Sequence, residues 1–336
     1  MERMDSALGI VVIGRNEGAR LRRCIGSLEA HLDRLVYVDS ASSDDSVAWA
    51  SDRVDQVVVL DPGPGLSAAR ARNAGMARLV GEHPGIEFVQ FVDGDCQVVP
   101  GWLEAGLEHL RSHPGVAVVC GRRREVEPDS TVYNRLADLE WDTPVGPATS
   151  CGGDSMMRVE AFQRVGGFSD SLVAGEEPEL CLRLRKEGYE IHRLPVEMTR
   201  HDAALTRFSQ WWRRSARAGH AALELLFRHG RAAGPAATRR VRSILVWSLG
   251  PIAAVALLAP LVGAWSLLAL SAPGVLGARI YGNERARDRS RRHALLYAMA
   301  CSIGKFAELE GFARYLWNRA FHGGRNRLIE YKGADG

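Results

Sequence analysis

The chain has 336 residues, enough for a full α/β core and a second module, and its net charge of +3 conceals a division. Residues 1–199 hold 21 Lys plus Arg against 32 Asp plus Glu, whereas residues 200–336 hold 22 against 8. An acidic front suits a cation-dependent site; a basic rear interleaved with apolar runs, and without a recognisable nucleic-acid module, argues for an anionic membrane surface and against nucleic acid.

In chain order, the first apolar run, residues 10–13, has a strand's length and is followed by charges, so it does not read as a secretory signal and the front module is expected in the cytoplasm. Strands are predicted at residues 9–13, 35–38, 56–60, 88–92 and 116–121, alternating with helical patterns. Between the first two, Leu21, Cys24, Ile25, Leu28 and Leu32 recur at helical spacing, giving one βαβ unit. Ser42 and Ser43 before Asp44-Asp45 mark a helix start, and Pro100 fits the first turn of another. This alternation predicts an α/β fold with a mostly parallel sheet and helices on both faces.

Residues 127–155, with Pro128, Pro144, Pro147 and Gly152-Gly153, read as an irregular crossing of the sheet's open edge, a natural place for acceptor contacts. A helical pattern returns at residues 179–187, and residues 190–194 read as a closing strand. Six cysteines, at 24, 96, 120, 151, 181 and 301, form no C-x-x-C pair and read as small buried hydrophobes rather than as a zinc site or a disulfide framework.

Residues 204–229 interleave Leu205, Phe208, Trp211, Trp212, Leu223 and Phe227 with arginines, a basic amphipathic helix suited to the membrane interface. Residues 244–270 then run for 27 positions without a charge, long enough to cross a bilayer. Both flanks are basic, from Arg239, Arg240 and Arg242 to Arg279 and Arg285, so both ends prefer the cytoplasm. A hairpin or re-entrant pair turning near Pro260 or Pro273 is expected, with a single crossing as the alternative. The implied organisation is a catalytic domain at 1–202, an interface helix and linker at 203–240, membrane-inserted helices at 241–282 and a basic helical segment at 283–336.

The chemistry centres on Asp93-Gly94-Asp95, directly after the predicted strand 88–92. Two carboxylates one residue apart at the carboxyl end of a strand suit a partly hydrated divalent cation shared with phosphate, and hence a nucleotide diphosphate.

Taken in order, the motifs of residues 9–202 resemble a family 2 glycosyltransferase of the GT-A, nucleotide-diphospho-sugar transferase, fold. Ile10 to Glu17 resembles the strand and polar turn that open the family's nucleotide pocket, which puts Asn16 and Glu17 at the donor. In Val36 to Ser40, Asp39 takes by match the place of the aspartate that receives the base, with Ser40 beside it. Residues 70–75 resemble the A-R-N-x-G segment, which carries the donor-side role to Arg72 and Asn73. Asp93, Gly94 and Asp95 fill the D-x-D place, with Asp95 the direct metal ligand, and His201 falls where some relatives add another ligand. Gly152-Gly153-Asp154, Val165 to Phe168 and Gly175 to Leu184 follow the family's spacing and add Asp154 to the donor site. Where most relatives have Glu-Asp this chain has Glu176-Glu177, so the base role passes to Glu177, with Glu176 the competing candidate. Residues 210–214 resemble faintly the Q-x-x-R-W segment of processive members, but Trp211 and Trp212 are displaced from it. They are expected to anchor at the membrane interface, and Arg213 to meet the donor phosphate or the interface.

The resemblance implies an inverting glycosyltransferase that uses Mg2+ or Mn2+ and a nucleotide-sugar donor, a UDP-sugar ahead of GDP- or dTDP-sugars. The acceptor is expected to be a hydroxyl of a lipid-linked or otherwise membrane-associated molecule in cell-envelope glycolipid or polysaccharide synthesis, at the cytoplasmic membrane. A polyprenyl phosphate is the alternative acceptor; it is already ionised and needs no base, so Glu177 favours a hydroxyl. A nucleotidyltransferase would need a glycine-rich phosphate loop after residue 13, where Gly14-Arg15-Asn16-Glu17 stands. A degenerate domain acting as a membrane scaffold is opposed by the presence of both Asp93 and Asp95.

Overall fold

The computed structural model describes residues 6–63, 65–172 and 174–321. The chain divides into two compact units, one of residues 1–128 with 140–203, the other of residues 129–139 with 204–336.

In the first unit, strands β1 (Leu8–Gly14), β2 (Leu35–Asp39) and β3 (Gln56–Val59) alternate with helices α1 (Ala19–Gly26), α2 (Ser46–Ser51) and α3 (Ala68–Glu82). Strands β1 and β2 read as continuous apolar runs because they are covered on both faces; six of the seven residues of β1 and all five of β2 are buried. Ser67 starts α3 by accepting the Arg70 backbone N–H on its hydroxyl at 3.2 Å. Strand β4 (Phe88–Asp93) returns to pair with the other side of β1, again in parallel. The sheet therefore grows one way through β2 and β3 and the other way through β4. Crevices at such a reversal, beyond the carboxyl ends of the strands, receive ligands.

A two-residue turn leads from β4 into β5 (Cys96–Val98), followed by α4 (Trp102–Ser112) and β6 (Val116–Glu125). Next come α5 (Val132–Trp141), β7 (Gly146–Pro147), β8 (Ser155–Arg158), α6 (Val159–Arg164), α7 (Glu176–Lys186) and β9 (Glu190–His201). The sheet order is β3-β2-β1-β4-β8-β6-β9-β5, with β7 on β9. Strand β8 runs antiparallel between β4 and β6, and β5 antiparallel to β9, so the second half of the sheet is mixed. Within 127–155, expected to be irregular, a ten-residue helix forms: Thr131 accepts the Asn134 N–H at 3.0 Å as its cap, and Leu136, Ala137 and Leu139 are buried.

Besides residues 132–139 of α5, the second unit contains α8 (Phe208–His229), α9 (Gly234–Val262), α10 (Ala272–Arg285) and α11 (Arg291–Phe321). Helix α8 packs on α11, and Ala222, Leu223, Val241, Ile244, Phe312 and Tyr315 form a small core. Trp211 is only 5% exposed, and Trp212 donates its indole N–H to Glu310 at 2.6 Å. Trp211 thus fills the seam of the helix packing, against the expectation that it anchors at the interface, whereas Trp212 is half-buried. Arg213 lies on the same helix.

Helix α9 continues through Pro251 and Pro260 and ends at Gly263, whose φ of 57° no ordinary residue adopts cheaply. A 3-10 segment, Gly263–Ser271, follows, and Pro273 lies in the first turn of α10. Leu257, Leu261, Trp265 and Leu268 are all more than half exposed. One stretch within Phe208–Arg285 is long and apolar enough to cross a membrane, and its most apolar window is 6% buried.

Candidate active site

The site lies in the first unit where β1, β2 and β4 end. Asp93 closes β4, and its backbone N–H donates to Asp154 Oδ1 at 2.9 Å. Its carboxylate takes the Arg72 guanidinium, Nη2 to Oδ1 at 2.7 Å, and the same guanidinium reaches Glu176 Oε1 through Nη1 at 2.9 Å. One arginine, 2% exposed, thus ties helix α3 to the end of β4 and to the first turn of α7. Burial opposes ionisation of Asp93, but Arg72 and then Arg123 outweigh it and hold the carboxyl below its usual range.

Asp154, fully buried, accepts Thr199 Oγ1 at 2.8 Å and the Arg123 Nε at 3.1 Å on its second oxygen. Gly153 leaves room for this packing: a Cβ there would stand 2.6 Å from Arg72 Nη2 and 2.7 Å from Asp93 Oδ2. Arg123 itself keeps Nη2 buried without a hydrogen-bond partner among the described residues.

The turn through Gly94, whose N–H donates to Ile13 O at 2.7 Å, carries Asp95 into the sheet edge. Pairing of β5 with β9 sets Cys96 opposite His201, and His201 Nε2 meets Asp95 Oδ2 at 3.0 Å. Trp141 stacks on the imidazole, rings 4.6 Å apart and 9° from parallel. Burial, followed by the positive Arg123, pushes the His201 imidazole down to about 4, so it is neutral and able to ligate at neutral pH. Asp95, Cys96 and His201 bring their ligand atoms within 4.8 Å of one another, and His201 Nδ1 is buried without a partner among the described residues. A neutral imidazole beside a carboxylate, with Asp93 at the strand end just before them, is a donor set that fits a divalent cation.

Beyond the ends of β1 and β2, Asn16 has φ 54° and accepts the Ser43 N–H at 2.7 Å, and Ser40 donates its N–H to Gly14 O at 2.9 Å. Glu17 pairs with Arg20 at 2.8 Å. Asp39 is fully buried and accepts the Ser42 N–H at 2.6 Å, the Ser42 hydroxyl at 2.5 Å and the Tyr37 hydroxyl at 2.8 Å. Burial and Asp39 raise the Tyr37 pKa, keeping that donor protonated. Asn73, half-buried on α3, makes contacts within the scaffold. Its amide brackets Phe168, donating to the carbonyl at 2.8 Å and accepting the N–H at 2.9 Å, and so fixes the loop before α7.

Glu176 and Glu177 open α7, whose first turn holds three glutamates at the positive end of the helix. Their side chains diverge. Glu176 joins Arg72, whereas Glu177, 8% exposed, accepts the Cys151 N–H and the Cys181 thiol, the latter at 3.3 Å, both on Oε1. Sequence reasoning missed Arg123, Thr199 and Trp141. Arg123 sits in the run Arg122-Arg123-Arg124 on a strand with register shifts around it, so alternation could not say which arginine faces inward.

A model of glycosyl transferase family 2 matches residues 9–166, and a model of glycosyl transferase family group 2 matches residues 88–282. A pre-mycofactocin glycosyltransferase of Mycobacterium tuberculosis (strain CDC 1551 / Oshkosh) is 30% identical over 236 residues, 66% of this chain and 47% of that protein. Glycosyltransferase AglE of Haloferax volcanii is 21% identical over 197 residues, 55% of this chain and 63% of its own length. The chain spans about half the length of the first of these curated relatives. Among solved structures, the mannosyltransferase PcManGT from Pyrobaculum calidifontis, in complex with GDP-Man and Mn2+, superposes with a TM-score of 0.57 at 18% identity. The match covers 93% of this chain and 88% of that one, a likeness of the GT-A fold.

Proposed function

The chain belongs to the family 2 glycosyltransferases, and from that premise we propose that it transfers a sugar from a nucleotide-diphosphate donor to a hydroxyl of a lipid-linked or other membrane-associated acceptor, inverting the anomeric carbon. One observation carries the reading. The hydrogen-bonded series Asp154, Asp93, Arg72, Glu176, with Asp154 and Arg72 buried, stands beside the Asp95–His201 pair where β1 and β4 end. Arg72 and Arg123 hold these acids together at the carboxyl ends of the strands, where an open α/β sheet receives ligands.

Residues 16, 17, 39 and 40 border the nucleotide end, with UDP-sugars ahead of GDP- or dTDP-sugars as donors. Asp93, Asp95 and His201 would hold Mg2+ or Mn2+, which when bound supplies Lewis-acid neutralisation of the departing diphosphate. Arg72 keeps Asp93 ionised and aimed, and Asp154 fixes the Asp93 backbone through its N–H. Glu176 is occupied by Arg72 and so is the poorer base. Glu177 uses Oε1 for Cys151 and Cys181, which leaves Oε2 to take the acceptor hydroxyl's proton as oxygen attacks the anomeric carbon. A positioned base of this kind contributes roughly 10²–10⁴-fold. One base with no opposed nucleophile gives a single displacement, hence inversion. The exposed apolar surface of α9 and its basic flanks support a site held near the cytoplasmic face of the membrane.

The test pairs Mn2+-dependent hydrolysis across a panel of sugar nucleotides with incorporation of labelled sugar into a membrane extract. Glu177→Gln is expected to bind donor normally and to lose roughly 10²-fold or more in turnover. Near-normal turnover would move the base to Glu176, and no donor supporting transfer in the wild type would remove the proposal.

A further inference from the structure

Around the Glu177 carboxylate lies a second group of ligand-bearing side chains, in which two cysteines that sugar transfer does not use join the proposed base. Cys151, in the loop before β8, faces Glu177 and Cys181, which stand four residues apart on α7 and so share one face of that helix. The two sulfurs are 3.6 Å apart and Cys181 Sγ is 3.3 Å from Glu177 Oε1. All three ligand atoms fall within 4.8 Å of one another, and the three residues are buried.

These separations have a meaning in coordination chemistry. A tetrahedral Zn2+ with bonds of about 2.3 Å to sulfur and about 2.1 Å to oxygen holds two sulfurs about 3.8 Å apart and a sulfur and an oxygen about 3.6 Å apart. The observed edges are shorter by only a few tenths of an ångström. Two thiols and a carboxylate are also the wrong donors for Mg2+ or Mn2+, which take oxygen, and the right ones for a thiophilic cation. We propose that Cys151, Cys181 and Glu177 form a three-ligand site for Zn2+ or a cation of similar softness, with the fourth position open, and that filling it arrests transfer by tying up the Glu177 carboxylate.

The arrest rests on Glu177 being the base; the capture of metal does not. Asp93, Asp95 and His201 would offer oxygen and imidazole to the active-site cation with one thiol, Cys96, beside them, whereas Cys151 and Cys181 would offer two sulfurs to the arresting cation. Ligands from the loop at 151 and from α7 would be drawn together, so capture would stiffen the same segment that carries Gly152 and Gly153.

The experiment uses the full chain in a phosphine reductant with excess Mg2+ and titrates Cd2+, following the ultraviolet thiolate-to-Cd2+ charge-transfer band. One equivalent is expected in the wild type, with affinity at least roughly tenfold weaker in Cys151→Ser, in Cys181→Ser and in Glu177→Gln. Zn2+ is expected to raise the melting temperature of the wild type and not of the double serine variant, a readout that requires no turnover. The ratio of transfer rates with and without Zn2+ should fall well below one in the wild type and return towards one in Cys151→Ser. An unchanged Cd2+ band in the double serine variant would overturn the site. Cd2+ bound at these cysteines with transfer unaffected would overturn the arrest. Absence of binding together with a transfer-dead Glu177→Gln would overturn the metal site while leaving the base assignment standing.

Discussion

Arg72 is the residue on which the acids depend. It is buried, and its two terminal nitrogens serve two carboxylates from different elements, at 2.7 and 2.9 Å. A planar fork can do this and a point-charge ammonium cannot, so Arg72→Lys is expected to lower kcat/KM by at least roughly tenfold with the protein still folded. Arg72→Met strands Asp93 and Glu176 and should cost about 3–5 kcal/mol in a urea titration. His201 supplies a pH dependence. The unfolded chain takes up a proton near pH 6.5 that the folded protein refuses until about pH 4. In metal-free protein this stability is fully present above pH 6.5 and is lost as pH falls through that window, by at most about 3 kcal/mol. Urea midpoints measured at pH 7 and pH 4.5 should differ in that direction, and His201→Gln should shrink the difference. At this scale the acids at 93, 95, 154, 176 and 177 were legible because their spacing is local. Their partners were not: Arg123 and Thr199 reach Asp154 from strands separated from it by tens of residues.

Among the elements, close approach governs both units. Gly153 allows the loop before β8 to lie over the Arg72–Asp93 pair, and Gly153→Ala would force the guanidinium or the carboxylate aside. A loss of transfer of roughly 10²-fold with an unchanged melting temperature is expected, since misplacement of about 1 Å at a reacting centre has that effect. In the helical unit, Gly219 of α8 lies against the Glu308 backbone and Gly311 of α11 against the Ala216 backbone. A side chain at either would separate the helices, so Gly311→Val should reduce yield and melting temperature together. The strands of the first half were legible because each is a continuous apolar run. Helix α5 was not, because Pro128, Pro144 and Pro147 bracket it and dominate the local reading. Three-residue β5 and four-residue β8 owe their pairing to distant partners and carry no period of their own.

Across the whole chain, charge and hydropathy divide where the sheet ends. The unit built on the sheet ends at residue 203, and the excess of basic residues begins at about the same place. Carbonate-washed membranes are expected to retain the full chain. Deletion from Arg239 onward removes α11 and uncovers the face of α8 that holds Trp211, so that variant should be insoluble. A monodisperse soluble truncation from a parent that never sediments with membranes would defeat the anchor. The paired edge formed by β5 and β9 has a bearing on biosynthesis. Asp95 leaves the ribosome more than a hundred residues ahead of His201, so a nascent polypeptide halted short of the ninth strand holds nearly every acid of the cluster yet lacks the imidazole that faces Asp95. The Asp95–His201 contact therefore forms only after nearly all of the first unit has been made.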